Sequence, residues 1–179
     1  GDLEKSAADK KVRAMAAYQV GWSYYNMRKE PEALAAFEHF LTGYPDAELI
    51  PDVRFWFGEY YRSRGMYGKA REFFSSILTG FPASDIAEDA LIQLALTLSD
   101  EGKTDEAVVK LEELAARFPA TDSGRAAYRK IAAIMKGKKD FDRAIEYYRK
   151  ALTSDNTELN AQTQYEIAES YEEKGDLQK

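Results

Sequence analysis

The feature that most constrains this chain is a repeat of 37 residues. Tyr44-Pro45, Phe81-Pro82 and Phe118-Pro119 stand 37 apart. Ala33, Ala70, Ala107 and Ala144 keep the same interval. So do the small residues Gly21, Gly58, Ala95 and Ala132, and the large residues Phe37, Phe74, Leu111 and Tyr148. Four registers with one period make the 179 residues a stack of copies of one unit rather than a single closed core.

Each unit reads as two helices. The first carries apolar residues at helical spacing, as in Ala17, Val20, Gly21 and Tyr24, or Leu91, Leu94, Ala95 and Leu98. A turn with Gly or Lys follows, and a second helix runs to the aromatic-Pro pair, because a residue before Pro is pushed out of the α region. Pro31 and Pro51 suit first helical positions. Asp85, Asp122 and Ser123 are read as caps. No alternating run supports a strand. The expected fold is all-α: a right-handed superhelical solenoid of antiparallel helix hairpins. Its units fall at 14–48, 49–85, 86–122 and 123–159, with a terminal helix at 160–174, in one array through 1–179. Gly21 is expected to face Ala33 where the helices of a hairpin cross, and Val20 and Tyr24 to face the core.

Composition narrows the function. The net charge is −6, which gives no general attraction to nucleic acid. Without cysteine and with one histidine, His39, the chain has few soft or imidazole metal ligands. No apolar run approaches the roughly 20 residues of a membrane span. Gly102-Lys103-Thr104 has the ending of a phosphate loop, but residue 97 is Thr97 where that loop needs a glycine, so it reads as a helix-helix turn. No nucleophile motif is present. No catalytic residue, cofactor or metal is expected.

The order of large and small residues resembles the tetratricopeptide repeat family. It runs Ala17, Val20, Gly21, Tyr24, Ala33, Phe37, Phe40, Pro45 in the first unit and Leu91, Leu94, Ala95, Leu98, Ala107, Leu111, Leu114, Pro119 in the third. The fourth has Asn156 in place of Pro, and a half unit follows with Gln164, Ile167, Ala168 and Tyr171. The period is longer than the family's usual 34 or so. The corners "FPASDIA" and "FPATDSG" are similar to repeat domains of bacterial envelope proteins, including outer-membrane assembly lipoproteins and Tol-Pal coordinators. That resemblance implies a periplasmic or outer-membrane-associated scaffold. It does not extend to the carboxylate clamp of some members, because Tyr18 and Trp22 stand at the clamp positions.

A repeat stack frees the inner, concave face of its first helices for a protein or peptide. Tyr18, Trp22 and Tyr25 share one stripe at i, i+4 and i+7 and are surplus to the packing register. With Phe55, Glu59, Arg62, Ile92 and Leu96 they form the candidate partner-binding set; the fourth unit presents Arg129, Ala133 and Lys136. The basic run Arg125, Arg129, Lys130, Lys136, Lys138, Lys139 and Arg143 reads as a solvated face, or as a contact for an acidic partner or anionic headgroups. The chain opens on Gly1 and closes on "EEKGDLQK", which reads as a turn and the start of another second helix. A longer parent is therefore expected. Ile167 and Tyr171 would then be bare on the terminal helix and open to self-association. The competing readings are a structural spacer or self-association module, and an accessory domain of an enzyme whose catalytic part lies elsewhere.

Overall fold

A computed structural model describes residues 2–153 and 157–175, with side chains for 8–153 and 158–175. Asn156 and the last four residues of "EEKGDLQK" lie outside the described residues. The described residues form helices α1 (Asp2–Asn26), α2 (Glu30–Gly43), α3 (Ile50–Ser63), α4 (Tyr67–Gly80), α5 (Ala87–Asp100), α6 (Thr104–Arg117), α7 (Asp122–Gly137), α8 (Phe141–Ala151) and α9 (Thr157–Lys174), with no strand among them. They group into two compact units, Gly1–Phe57 and Gly58–Lys179.

Every hairpin turn is built the same way. Lys29 N–H donates to the Tyr24 carbonyl and Arg28 N–H to that of Tyr25. Met66 and Gly65, Lys103 and Gly102, and Asp140 and Lys139 repeat this double bond at the 37-residue interval. The motif needs a left-handed residue after the helix. That residue is Arg28 (φ 59°), Gly65 (69°), Gly102 (83°) and Lys139 (60°). The corners repeat too: the N–H groups of Tyr44, Phe81 and Phe118 donate to the carbonyls of Phe40, Ile77 and Leu114. At the last corner a side chain on Gly124 would run into the Phe118 carbonyl oxygen.

The caps differ from expectation. Thr121, not Asp122 or Ser123, caps α7, its hydroxyl accepting from Gly124 N–H at 3.1 Å. Ile86 rather than Asp85 precedes α5, with no side-chain cap. Asp140 caps α8 through Arg143 N–H.

In residues 1–57, α1 packs on α2. Ala33, Phe37, Phe40, Ile50, Val53, Trp56 and Phe57 are buried. Gly21 does not serve Ala33. A Cβ at Gly21 would stand 2.5 Å from the Phe37 ring, so the glycine makes room for an aromatic ring four residues further along α2. Val20 is 48% exposed, against the sequence expectation. Its counterparts Phe57, Leu94 and Ile131, one, two and three periods later, are buried.

In residues 58–179 each helix from α4 onward packs on the next, through α9. Gly58 accepts the Phe74 ring as Gly21 accepts Phe37. One cluster then joins Leu91, Ala95, Leu111, Leu114, Ile131, Ala132, Met135, Tyr147 and Tyr148. Burying a Leu or Ile side chain of this kind is worth roughly 1.5–3 kcal/mol. Ile167 of α9 packs against that cluster instead of lying bare, and the Tyr171 hydroxyl accepts from Arg149 at 2.8 Å. The exposed ring of α9 is Tyr165, at 65%.

Candidate functional site

The aromatic stripe of α1 is half packing and half surface. Tyr18 and Trp22 are half-buried. Their rings lie 6.4 and 5.6 Å from that of Phe37, and Tyr18 also meets Phe40 at 5.9 Å. Tyr25 completes the ladder edge-on, 5.5 Å from Trp22 and 5.7 Å from Trp56, yet stays 47% exposed. The reading of all three rings as surplus therefore holds best for Tyr25. Packing of the other two follows from Gly21, which lets Phe37 rise into α1 far enough to meet them. The Trp22 indole nitrogen is buried with no acceptor. Phe55, on α3, is half-buried.

Residues 1–57 also hold a cleft that the repeat pattern did not announce. It has a volume of about 210 Å³ and lies between the early turns of α1 and the corner after α2. Ala14, Met15, Tyr44, Ala47 and Leu49 line it. Lys10 with Asp46 (3.2 Å) and Lys11 with Glu48 (3.0 Å) bridge α1 to that corner at its edge. All four charged side chains are well exposed, so these pairs add little stability. The cleft forms where the early turns of α1 meet the corner after α2, a meeting that the periodicity does not point to.

In residues 58–179 the candidate face is polar and internally paired. The Arg62 guanidinium donates to Asp100 (2.7 Å) and Gln93 (2.7 Å), both on α5. Glu59 is exposed; partial desolvation raises its pKa, the Arg62 charge opposes the rise and that of Asp89 adds to it. Ile92 is half-buried against the core cluster, and Leu96 is half-buried. Lys136 stands 74 residues after Arg62 and repeats its role. It reaches Glu169 (2.6 Å), Glu173 (3.2 Å) and Glu166 (4.0 Å) on α9. Desolvation would lower its pKa, but the hydrogen bonds to Glu169 and Glu173 carry it well above the ordinary lysine value.

The basic run dissolves into such pairs. Arg125 holds Asp122 and the Ala120 carbonyl, Lys138 holds Asp105, and Arg143 lies 3.7 Å from Asp140. Lys130 and Lys139 are exposed. Arg129 is half-buried, and its Nε, like that of Arg125, is buried without a hydrogen-bond partner. No group of three or more His, Asp or Glu side chains among the described residues is placed to hold a metal ion. No helix among them is long and apolar enough to cross a membrane.

Two family models, both described as tetratricopeptide repeat, match the chain. One covers residues 92–157 and 136–179, the other 15–47. The chain belongs to the tetratricopeptide repeat family. No curated protein sequence matches it. Solved tetratricopeptide-like structures do. A MamA protein is 17% identical over 92% of this chain and 84% of its own, with a TM-score of 0.64. BtubC (BKLC) from P. vanneervenii is 16% identical over 99% and 86%, at 0.64. MamA from Desulfovibrio magneticus RS-1 is 18% identical over 92% and 86%, at 0.63. At these identities the likeness is one of fold: an all-α array of helix hairpins of the tetratricopeptide solenoid class.

Proposed function

We propose that this chain is a non-catalytic scaffold that holds a protein or peptide partner on the faces of its first helices, in a bacterial envelope complex of the periplasm or outer membrane. The observation that carries the reading is Tyr25. A large ring fixed edge-on between Trp22 and Trp56 yet nearly half exposed is an ordered apolar surface that needs little further ordering to bind. The envelope context rests on the corner phrases "FPASDIA" and "FPATDSG".

The test is partner capture by the purified chain from an envelope extract of its source organism, with Tyr25→Ala beside the parent sequence. Capture is expected to fall at least tenfold, while far-UV ellipticity and melting temperature stay within error. Capture that survives Tyr25→Ala unchanged would favour the spacer reading. Trp22→Ala is the less clean probe, because that ring also packs on Phe37.

A further inference from the structure

We propose that α9 is a charge-latched helix. Screening or breaking the pairs around Lys136 frees it as one unit and uncovers Tyr148 and the adjoining edge of the core cluster. The device does not depend on the scaffold reading.

The hold on α9 is short of apolar contact. Among its described residues no apolar side chain is fully buried; the two buried side chains are Thr163 and Ser170. Their hydroxyls donate within α9 itself, to the carbonyls of Leu159 at 2.8 Å and Glu166 at 2.7 Å. They are satisfied there and make no polar tie to α7 or α8. The preceding first helices differ: α5 buries Leu91, Leu94 and Leu98, and α7 buries Ile131 and Met135. From α9, Ile167 reaches the core cluster and stays half-buried.

Charged and polar groups take over. Glu166, Glu169 and Glu173 share one face of α9 and meet Lys136 of α7 at 4.0, 2.6 and 3.2 Å. Lys174 donates to Asp142 of α8 at 2.5 Å, Arg149 of α8 to the Tyr171 hydroxyl at 2.8 Å, and Tyr148 of α8 to Glu166 at 3.1 Å. Lys136 is half-buried, so its pairs hold more firmly than exposed ones. It is also the hub. Without its charge, three carboxylates on one face of α9 lose the cation between them and repel one another.

Ordinary fraying runs inward from a helix end and opens backbone bonds one turn at a time. A latch centred on Lys136 opens differently. Its pairs span Glu166 to Glu173, so their loss frees the helix together. An isolated helix of 18 residues is marginal in water, so freed α9 melts and its amides exchange. At 1 M salt the screening length falls to about 3 Å, the length of the contacts themselves.

Hydrogen exchange of the whole chain, resolved by residue at 0.05 M and 1 M NaCl, tests this, with α7 as internal reference. The helix-bonded amides of α9 are expected to share one protection level below that of α7. On going to 1 M salt they should lose about tenfold more protection than α7 does. Lys136→Met should reproduce that loss at low salt and leave little salt response. Thr163→Val copies the buried Val53 at the matching place of α3. It should raise α9 protection severalfold and keep the salt response, because it adds apolar contact and leaves the charges alone. Protection that climbs steadily from Lys174 inward would make the opening mere fraying and overturn the inference. So would α9 opening in step with α7, a salt response no larger than that of α7, or Lys136→Met without effect. The salt series uses the unaltered chain, so it decides the matter even where a variant does not fold.

Discussion

The two compact units solve one packing problem with different side chains. In residues 1–57 the close approach of first and second helix is Gly21 against the Phe37 ring, and rings follow one another from Phe40 through Tyr18, Trp22 and Tyr25 to Trp56. In residues 58–179 only Gly58 and Phe74 repeat that device; the equivalent positions become Ala95 with Leu111 and Ala132 with Tyr148. The fill becomes more aliphatic, and charged groups tie successive first helices together: Arg62 to Asp100, Lys136 to Glu169. The period thus fixes how much volume a position must hold. It leaves open whether the volume is aromatic, and hence whether a ring is left over for a partner.

The largest test of this contrast is a swap of one pairing for the other. Gly21→Ala should cost about 1–3 kcal/mol despite the better helix propensity of alanine, because the added methyl meets the Phe37 ring. Adding Phe37→Leu should recover most of that loss, since the pair then copies Ala95 and Leu111. Urea melts of the two single variants and the double variant give the coupling energy. Losses that simply add would mean that Gly21 and Phe37 do not share the space ascribed to them.

A smaller gain should come from the hairpin turns. Arg28 and Lys139 hold the left-handed conformation that Gly65 and Gly102 hold elsewhere. Arg28→Gly and Lys139→Gly should each stabilise by about 0.5–1 kcal/mol, the relief of a side chain at positive φ less the added freedom of the unfolded chain. Equal gains would say that the turn is the same device in both units; a gain in one alone would say that the hairpins differ more than their hydrogen bonds suggest.

The smallest expected effect is on acid response. Hydrogen bonds from Lys150 and Lys136 hold the carboxyls of Glu146 and Glu169 below the ordinary glutamate value of 4.5. Groups depressed in this way stabilise the fold above that value and lose their contribution as pH falls through the folded pKa. Asp52, in residues 1–57, has the opposite sign. Desolvation raises its pKa above 3.8, so its penalty is absent below that value and grows as pH rises through the folded pKa. Glu59 sides with Asp52. Melting temperatures between pH 6 and pH 3 should show a shallower acid loss in Glu169→Gln and a steeper one in Asp52→Asn. Parallel curves for the two variants would remove the electrostatic half of the comparison.

Much of the candidate face was readable as a stripe and not as an environment. Tyr18, Trp22 and Tyr25 share a helix face by spacing alone, but spacing could not say that Phe37 would take up the first two rings. The seven-residue basic run looked like one charged surface; only the approach of α6 and α9 showed that Asp105 and Glu169 neutralise members of it. The cleft beside Met15 had no signal, because its walls, the early turns of α1 and the corner after α2, meet only in the folded chain.

The linear order of residues by itself determined the helical hairpins, their period and the small-large alternation. These depend on local backbone preference and on volume at a fixed spacing, and both are written one residue at a time. The tertiary structure alone decided that Val20 stays exposed, that Gly21 answers Phe37 rather than Ala33, and which charges remain unpaired. Burial and pairing belong to surfaces distant in the chain, 16 residues apart for Gly21 and Phe37 and 33 for Lys136 and Glu169, and they exist only once those surfaces meet.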